Sequence, residues 1–146
     1  TGTCPMNKGG TQEVEGIGVT MVAASHTSSI RSGDRVLPGG EAAGYVLEFE
    51  NGFKVYAAGD TSVFGDMRII ADLYRPDLAL LPIGDLFTMG PAEAALACRL
   101  LRPRWVIPNH YGTFPVLTGT PAALRDLVRD LPGMEIIALK PGETWG

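Results

Sequence analysis

The chain has 146 residues, a hydrophobic content of 45%, only 19% charged residues and a net charge of −4. This length and composition fit one globular domain with a packed core, and no apolar stretch approaches the ~20 residues that a membrane-spanning helix needs. Basic residues are scattered along the sequence, which disfavours nucleic acid as a partner because phosphate binding depends on clustered Lys and Arg.

The first half of the sequence is typical of β-structure. Residues 14–24 alternate and then become apolar, which predicts one or two strands broken near Gly16 and Gly18. A Gly-rich loop is expected over residues 27–40. Residues 45–50 and 54–58 are strand-like and flank Asn51-Gly52, a dipeptide that accepts positive φ in a tight turn, so they predict a β-hairpin.

Beyond Asp60 the apolar residues follow helical spacing, and helices alternate with strands. The first helix has its apolar positions between Met67 and Tyr74 and stops before Pro76. The second begins near Pro91, and the third begins at Pro121 with Thr120 as its cap. Strands are expected at residues 78–83, 105–108 and 135–139. This alternation predicts an α/β fold with helices laid over a sheet.

The cysteines and the chain start bear on the cellular compartment. Cys4 and Cys98 lack the spacing of a disulfide scaffold or a thiolate metal site. Cys98 lies in an Ala- and Leu-rich helical segment, so we expect it to be a small core residue. No signal peptide opens the chain, and a cytoplasmic protein is the simplest expectation. Because the chain starts at Thr1 rather than Met, we expect a processed chain, an engineered segment or part of a longer protein.

Three potential metal ligands follow strand-like segments. His26 and His110 are the only histidines, and Asp60 comes after an apolar run and a glycine. Neutral imidazole and ionised carboxylate both suit zinc and the neighbouring divalent ions. Residues beyond the carboxyl ends of strands converge at one edge of an α/β sheet, where ligands commonly bind. The pattern therefore favours a metal site at that edge.

Each of these residues also has a structural interpretation. Either histidine could be a hydrogen-bonded loop residue, and Asp60 could be a turn residue that bonds its own backbone. Asp66 and Asp85 are interpreted mainly as structural residues, at a helix start and in a loop respectively.

Four segments in order resemble the second half of the metal-dependent hydrolases of the metallo-β-lactamase superfamily. They are VAASHTSS, AAGDTSVFGDM, LLPIGDLFTMGPAEAALA and PNHYGTFP. The resemblance extends over residues 6–143, and the branch it is most similar to is the one related to L-ascorbate-6-phosphate lactonase. It implies an αββα sandwich, of which residues 1–146 would be the C-terminal half, a mixed sheet covered by helices.

The resemblance also implies a binuclear metal site. His26 would complete the first site, Asp60 would bridge the two ions, and His110 would complete the second. Zinc is the expected ion, with manganese, iron or nickel as alternatives. The family's first-half motif, His-x-His-x-Asp-His, is not found in this sequence, so the isolated chain is expected to lack a competent site and to be inactive alone.

Further site residues are expected around these ligands. Tyr111 would reach the substrate or, equally, pack its ring beside the site. The loop that carries Asp85, Thr88 and Met89 would wall the substrate pocket. Thr61 and Ser62 would make hydrogen bonds to the ligands.

Three functions remain open. The first is a hydrolase whose binuclear, metal-activated water attacks a lactone, ester, amide or phosphodiester of a small-molecule substrate. The second is a non-catalytic half-domain that acts as a structural or interaction piece. The third, a nuclease, is disfavoured by the acidic charge. In each case the apolar face of the sheet needs a cover, so the missing N-terminal half or a second copy of the chain is the expected partner.

Overall fold

The computed structural model describes residues 2–145, and nine strands and three helices lie within that range. None of these helices is long and apolar enough to cross a membrane. The elements in chain order are β1 (Thr11–Val14), β2 (Ile17–Ala23), β3 (Ser29–Ser32), β4 (Arg35–Pro38), β5 (Ala43–Glu48), β6 (Lys54–Ala57), α1 (Met67–Tyr74), β7 (Leu78–Pro82), α2 (Pro91–Leu101), β8 (Trp105–Asn109), α3 (Pro121–Leu127) and β9 (Glu135–Ile136).

Seven strands form one mixed sheet in the order β1-β2-β5-β6-β7-β8-β9. The pairs from β1 to β6 are antiparallel, whereas β6, β7, β8 and β9 are parallel. A helix lies between the two strands of each parallel step, as a parallel crossover requires. The expected α/β fold with a mixed sheet covered by helices is therefore confirmed.

The hairpin of β5 and β6 is also confirmed, with a somewhat longer turn than expected. The strands pair as far as Glu48 and Lys54. Phe49 then exchanges backbone hydrogen bonds with Gly52 and Phe53. Of the Asn51-Gly52 dipeptide, only Gly52 has a positive φ, of 80°. Asn51 contributes through its side-chain oxygen, which accepts from the backbone N–H of Phe53 at 3.0 Å.

The three predicted helices are present where their proline signals place them. α2 and α3 begin at Pro91 and Pro121, and α1 ends one residue before Arg75-Pro76. Thr120 caps α3 as expected, because its hydroxyl oxygen accepts from the backbone N–H of Ala123 at 3.2 Å. These starts are well defined because proline lacks the N–H that a first helical turn leaves unbonded.

Three strand predictions need correction. The loop expected over residues 27–40 contains the β3–β4 hairpin, and all of its strand residues are exposed, so it carries none of the apolar alternation that marks a half-buried strand. Gly18 lies inside β2, and the chain turns at Glu15-Gly16 instead. The final strand comprises only Glu135–Ile136 of the expected residues 135–139.

One face of the large sheet is covered by the three helices. Alternate strand residues on this face, such as Tyr56, Leu81 and Val106, are completely buried against α1, α2 and α3. Cys98 of α2 is also completely buried, which confirms it as a core residue, and burial raises the pKa of its thiol to about 12. The hydrophobic core of the chain lies between this face and the helices.

The opposite face of the sheet is apolar but only partly covered. The strand register aligns a second set of side chains there, which are half-buried: Val19, Met21, Tyr45, Leu47, Ala57, Leu80, Trp105 and Ile107. We call these eight residues the open face. Within residues 2–145 the only other sheet is the β3–β4 pair, so the second large sheet of an αββα sandwich is not among the described residues.

Gly119 packs so closely against the end of β7 that an added Cβ would overlap the carbonyl oxygen of Ile83. We expect Gly119→Ala to lower the free energy of unfolding by about 1–3 kcal/mol, as overpacking commonly does. Urea denaturation measures this change. Gly65→Ala is the matched control, because no atom lies within 4 Å of its added Cβ. Equal stability of the two variants would contradict the close packing at Gly119.

Candidate metal centre

The candidate residues lie at one edge of the sheet because of its topology. Asp60 follows β6, the loop of residues 84–90 follows β7, and His110 follows β8, all of them parallel strands. His26 follows β2, which is antiparallel to β5, as β5 is to β6, so β2 runs in the same direction as β6. The carboxyl ends of all four strands therefore point to the same edge.

Asp60 and His110 are the two candidate ligands that the structure brings together. Asp60 Oδ2 and His110 Nε2 are 3.9 Å apart, and their side chains are 55% and 29% exposed. This separation is too long for a hydrogen bond. Zinc bonds to His nitrogen and carboxylate oxygen at about 2.0–2.2 Å, so two such bonds span up to about 4.2 Å. A single divalent ion between the two atoms fits this spacing.

His110 is held by close backbone packing. An added Cβ on Gly84 would overlap the carbonyl oxygen of His110, so only glycine lets the two segments approach this closely. His110 itself has a φ of 53°, in the left-handed region that non-glycine residues rarely adopt. Its Nδ1 is buried and has no hydrogen-bond partner among the described residues. Such strain and an unpaired polar atom are typical of functional sites.

His26 is not part of the same cluster. Its Nδ1 lies 2.6 Å from the carbonyl oxygen of Thr27, and its Nε2 lies 2.9 Å from that of Phe87. A neutral imidazole carries one N–H and can donate only one of these two hydrogen bonds. Ligation of an ion would require one ring nitrogen to leave its carbonyl. Within residues 2–145, no three His, Cys, Asp or Glu side chains group as a metal site.

Thr61, the residue after Asp60, connects the segments around the site. It is completely buried, and its hydroxyl accepts from the backbone N–H of Ser25 at 2.9 Å and donates to the carbonyl oxygen of Ser62 at 2.7 Å. Its own carbonyl oxygen accepts from the backbone N–H of Met89 at 3.2 Å. Thr61 thus bonds the backbone on three sides rather than the candidate ligands. The expected hydrogen bonds from Thr61 and Ser62 to the ligand side chains are not observed.

The loop after β7 is a tightly folded turn. Asp85 and Leu86 have φ values of 67° and 58°. The Asp85 carboxylate accepts from the backbone N–H of Leu86 at 2.8 Å, which agrees with its structural interpretation. Met89 is completely buried, so its side chain attaches the loop to the hydrophobic core and does not line an open pocket. Thr88 has a buried hydroxyl without a hydrogen-bond partner in the described part of the chain.

Tyr111 lies beside the candidate metal centre, and Asp66 lies at the start of α1. The ring of Tyr111 is half-buried and packs against the hydrophobic core, beside a cleft of about 520 Å³ that His110 and Lys140 also line. Asp66 is the N-cap residue of α1 but makes no side-chain capping hydrogen bond.

The sequence matches known proteins over nearly its whole length. Residues 2–111 match the family described as "Beta-lactamase superfamily domain". A UPF0173 metal-dependent hydrolase of Rubrobacter xylanophilus is 58% identical over 144 residues, which are 97% of this chain and 60% of that protein. One of Koribacter versatilis is 55% identical over 96% of this chain and 59% of its own length. The chain therefore spans about three-fifths of the length of these relatives.

Solved structures agree with the fold. The metallo hydrolase Igni18 of the hyperthermophilic archaeon Ignicoccus hospitalis has a TM-score of 0.81 and 36% identity, over 96% of this chain and 58% of that one. An isothiocyanate hydrolase from Delia radicum gut bacteria has a TM-score of 0.69 at 21% identity, over 93% and 57% of the two chains, and is similar in fold alone. The chain belongs to the metallo-β-lactamase superfamily, and the relatives it matches are named metal-dependent hydrolases.

The buried hydroxyl of Thr61 offers a direct test of how this edge is held. We expect Thr61→Val, which keeps the shape and removes the hydroxyl, to lower the free energy of unfolding by about 1–3 kcal/mol, because the Ser25 N–H and the Ser62 carbonyl lose their partner. Amide exchange at Ser25 should also become faster. Thr113→Val, at an exposed position, is the control. Unchanged stability and exchange in Thr61→Val would show that the hydroxyl does not hold the segments together.

Proposed function

We propose that this chain contributes the second-half ligands of a metal-dependent hydrolase that cleaves a lactone, ester, amide or phosphodiester in a small molecule. The observation that carries the proposal is the pair of Asp60 and His110, 3.9 Å apart at the carboxyl edge of the sheet. Relatives that are 55% and 58% identical and named metal-dependent hydrolases support the same reaction class.

A divalent ion is the cofactor of this proposal. Asp60 and His110 would hold it, and the unpaired Nδ1 of His110 leaves that ring free of competing hydrogen bonds within residues 2–145. Zinc is our first choice, with manganese, iron or nickel as alternatives, and two ions are proposed for the complete protein. When bound, a divalent ion supplies an activated water and polarises a carbonyl or phosphoryl oxygen of the substrate.

The protein's own residues would position the reaction. The hydrogen bonds of Thr61 to Ser25 and Met89 fix the relative positions of the segments after β2, β6 and β7. The backbone next to Asp60 is therefore held in place. Thr88 is the proposed polar contact to the substrate, because its hydroxyl has no partner within residues 2–145. That hydroxyl is buried, so the loop of residues 84–90 would have to shift for it to reach a ligand. Asp85 shapes the same loop from its exposed side. Tyr111 would border the pocket next to His110.

The ligand set is completed, we propose, by residues outside this chain. A catalytic zinc normally has three protein ligands, whereas of the three candidates within residues 2–145 only Asp60 and His110 lie together. His26 would join them only if one of its ring nitrogens left its carbonyl partner, that of Thr27 or that of Phe87. The isolated chain would then be inactive. The same proposal includes three further points. Motif order supports a role as the C-terminal half and a relation to the ascorbate-6-phosphate lactonase branch. Composition supports a cytoplasmic location.

Asp60 is the residue that tests the hydrolase proposal most directly. In the longer protein, we expect Asp60→Asn to keep the fold, lose bound metal and lower hydrolysis by more than the roughly 10–100-fold that outer-shell substitutions cause. Elemental analysis and turnover of a panel of lactones and esters measure this. Asp66→Asn is the control, because Asp66 caps α1 without a hydrogen bond. Full metal content and full turnover in Asp60→Asn would show that Asp60 is not a ligand in the metal centre.

The open face supports the proposal of a partner. Its half-buried side chains are mostly large and apolar, and apolar patches above a few hundred Å² are uncommon on soluble monomers. The relatives are longer than this chain, so we propose that their first half covers the open face, with a second copy as the alternative cover. A structural or interaction role for the chain would use this same face.

We expect the purified chain alone to self-associate, because exposure of the open face to water is unfavourable. Analytical ultracentrifugation measures the association. The double variant Leu80→Lys with Ile107→Lys, on the open face, should shift the chain towards monomer. The control variant Ile69→Lys, on the exposed side of α1, should leave the association unchanged. A stable wild-type monomer that binds no hydrophobic dye would contradict the need for a cover.

A further inference from the structure

We infer that the chain has a second binding site, a cleft for a small phosphate-bearing anion at the opposite end of the parallel strands from the candidate metal centre. The cleft has a volume of about 740 Å³ and lies between the carboxyl ends of α1 and α2. Arg75, Arg102 and Arg104 line it. We call it the arginine cleft.

The arginine cleft is formed by two equivalent turns of the chain. Arg75-Pro76 ends α1 before β7, and Arg102-Pro103 ends α2 before β8. Because α1 packs beside α2 and β7 beside β8, the two turns are neighbours. The carbonyl oxygen of Asp77 accepts from the backbone N–H groups of Arg104 and Trp105 at 2.9 and 3.0 Å, which joins one turn to the other. Arginines that are scattered in the sequence are thus gathered by the fold.

Both turns place arginine where glycine is the usual residue. Arg75 and Arg102 have φ values of 51° and 54° at the left-handed position that follows a helix. Glycine is strongly preferred there because a Cβ is unfavourable in this conformation. Arginine side chains at helix carboxyl ends interact favourably with the helix dipole. That interaction accounts for one such residue at each helix end, but it does not account for Arg104, which lines the same cleft.

Arginines outnumber carboxylates in the lining of the arginine cleft. Arg102 donates to Asp72 at 2.9 Å, and the Asp77 carboxylate accepts from the backbone N–H of Lys54 at 2.8 Å and keeps its negative charge. Three arginines and two aspartates thus give the lining of the cleft a net charge of +1. Arg75 and Arg104 form no salt bridge with any residue between positions 2 and 145. The guanidinium of Arg104 is instead held over the ring of Trp105, 4.4 Å from its centroid.

These features fit a phosphate group. Guanidinium groups present forked N–H donors that match phosphate oxygens, and the volume of the cleft falls in the range of small-molecule sites. The overall charge of −4 and the confinement of these arginines to one cleft favour a small ligand over a nucleic acid. The five residues of β7 separate the arginine cleft from the metal centre by about 16 Å, so one small ligand cannot contact both.

Calorimetric titration of the metal-free chain with pyrophosphate tests the arginine cleft. We expect saturable binding at one site per chain. The double variant Arg75→Gln with Arg104→Gln should weaken binding at least about tenfold, because charge-assisted hydrogen bonds are lost. Arg31→Gln with Arg35→Gln removes the same charge from the exposed β3–β4 hairpin and should leave binding unchanged.

Two further variants distinguish binding in the arginine cleft from a structural role of Arg75 and from binding at the metal centre. Arg75→Gly relieves the left-handed backbone, so it should keep or raise stability while it weakens pyrophosphate binding; unchanged binding would mean that Arg75 has only a structural role. Asp60→Asn should bind pyrophosphate like the wild type, which keeps the result independent of the proposed hydrolase. The inference is overturned if the wild type shows no saturable binding, if citrate binds as well as pyrophosphate, or if only an RNA oligonucleotide binds.

Discussion

The interaction that joins the loops of the candidate metal centre is the hydrogen bonding of the buried residue Thr61. Its hydroxyl accepts from Ser25 and so joins the segments after β2 and β6, and its carbonyl oxygen accepts from Met89 and so joins the segments after β6 and β7. A buried backbone group that loses its partner is costly, so these bonds resist independent movement of the three loops. Asp60 is the neighbour of Thr61, so its backbone is held on its carboxyl side, although its own carboxylate is exposed.

Much of the fold is predictable because its signals are local. Pro91 and Pro121 mark helix starts, Asn51-Gly52 marks a hairpin, and the apolar runs of β7 and β8 mark buried strands. The β3–β4 hairpin is not predictable in this way, because strands exposed on both faces carry no apolar alternation. The sheet order and the open face depend on pairings between distant segments, and a single sequence carries little information on these.

The candidate site is predictable in its position more than in its contacts. Motif order places Asp60 and His110 at one edge of the sheet, and the structure brings them close together. The carbonyl partners of the His26 ring and the approach of Gly84 to His110 cannot be read from the sequence, because they depend on how loops pack after the strands have paired. The three backbone hydrogen bonds of Thr61 escape prediction for the same reason.

The wide spacing of these segments along the chain has a kinetic consequence. Ser25 and Thr61 are 36 residues apart, and they meet only after β2, β5 and β6 have paired in register. Such long-range pairing carries the loop-closure entropy of the intervening chain and is characteristic of slow folding. We therefore expect the edge that carries Asp60 and His110 to become ordered late in folding. An ion that recognises this edge would bind only the folded state, and by mass action it would stabilise the whole native structure rather than one loop.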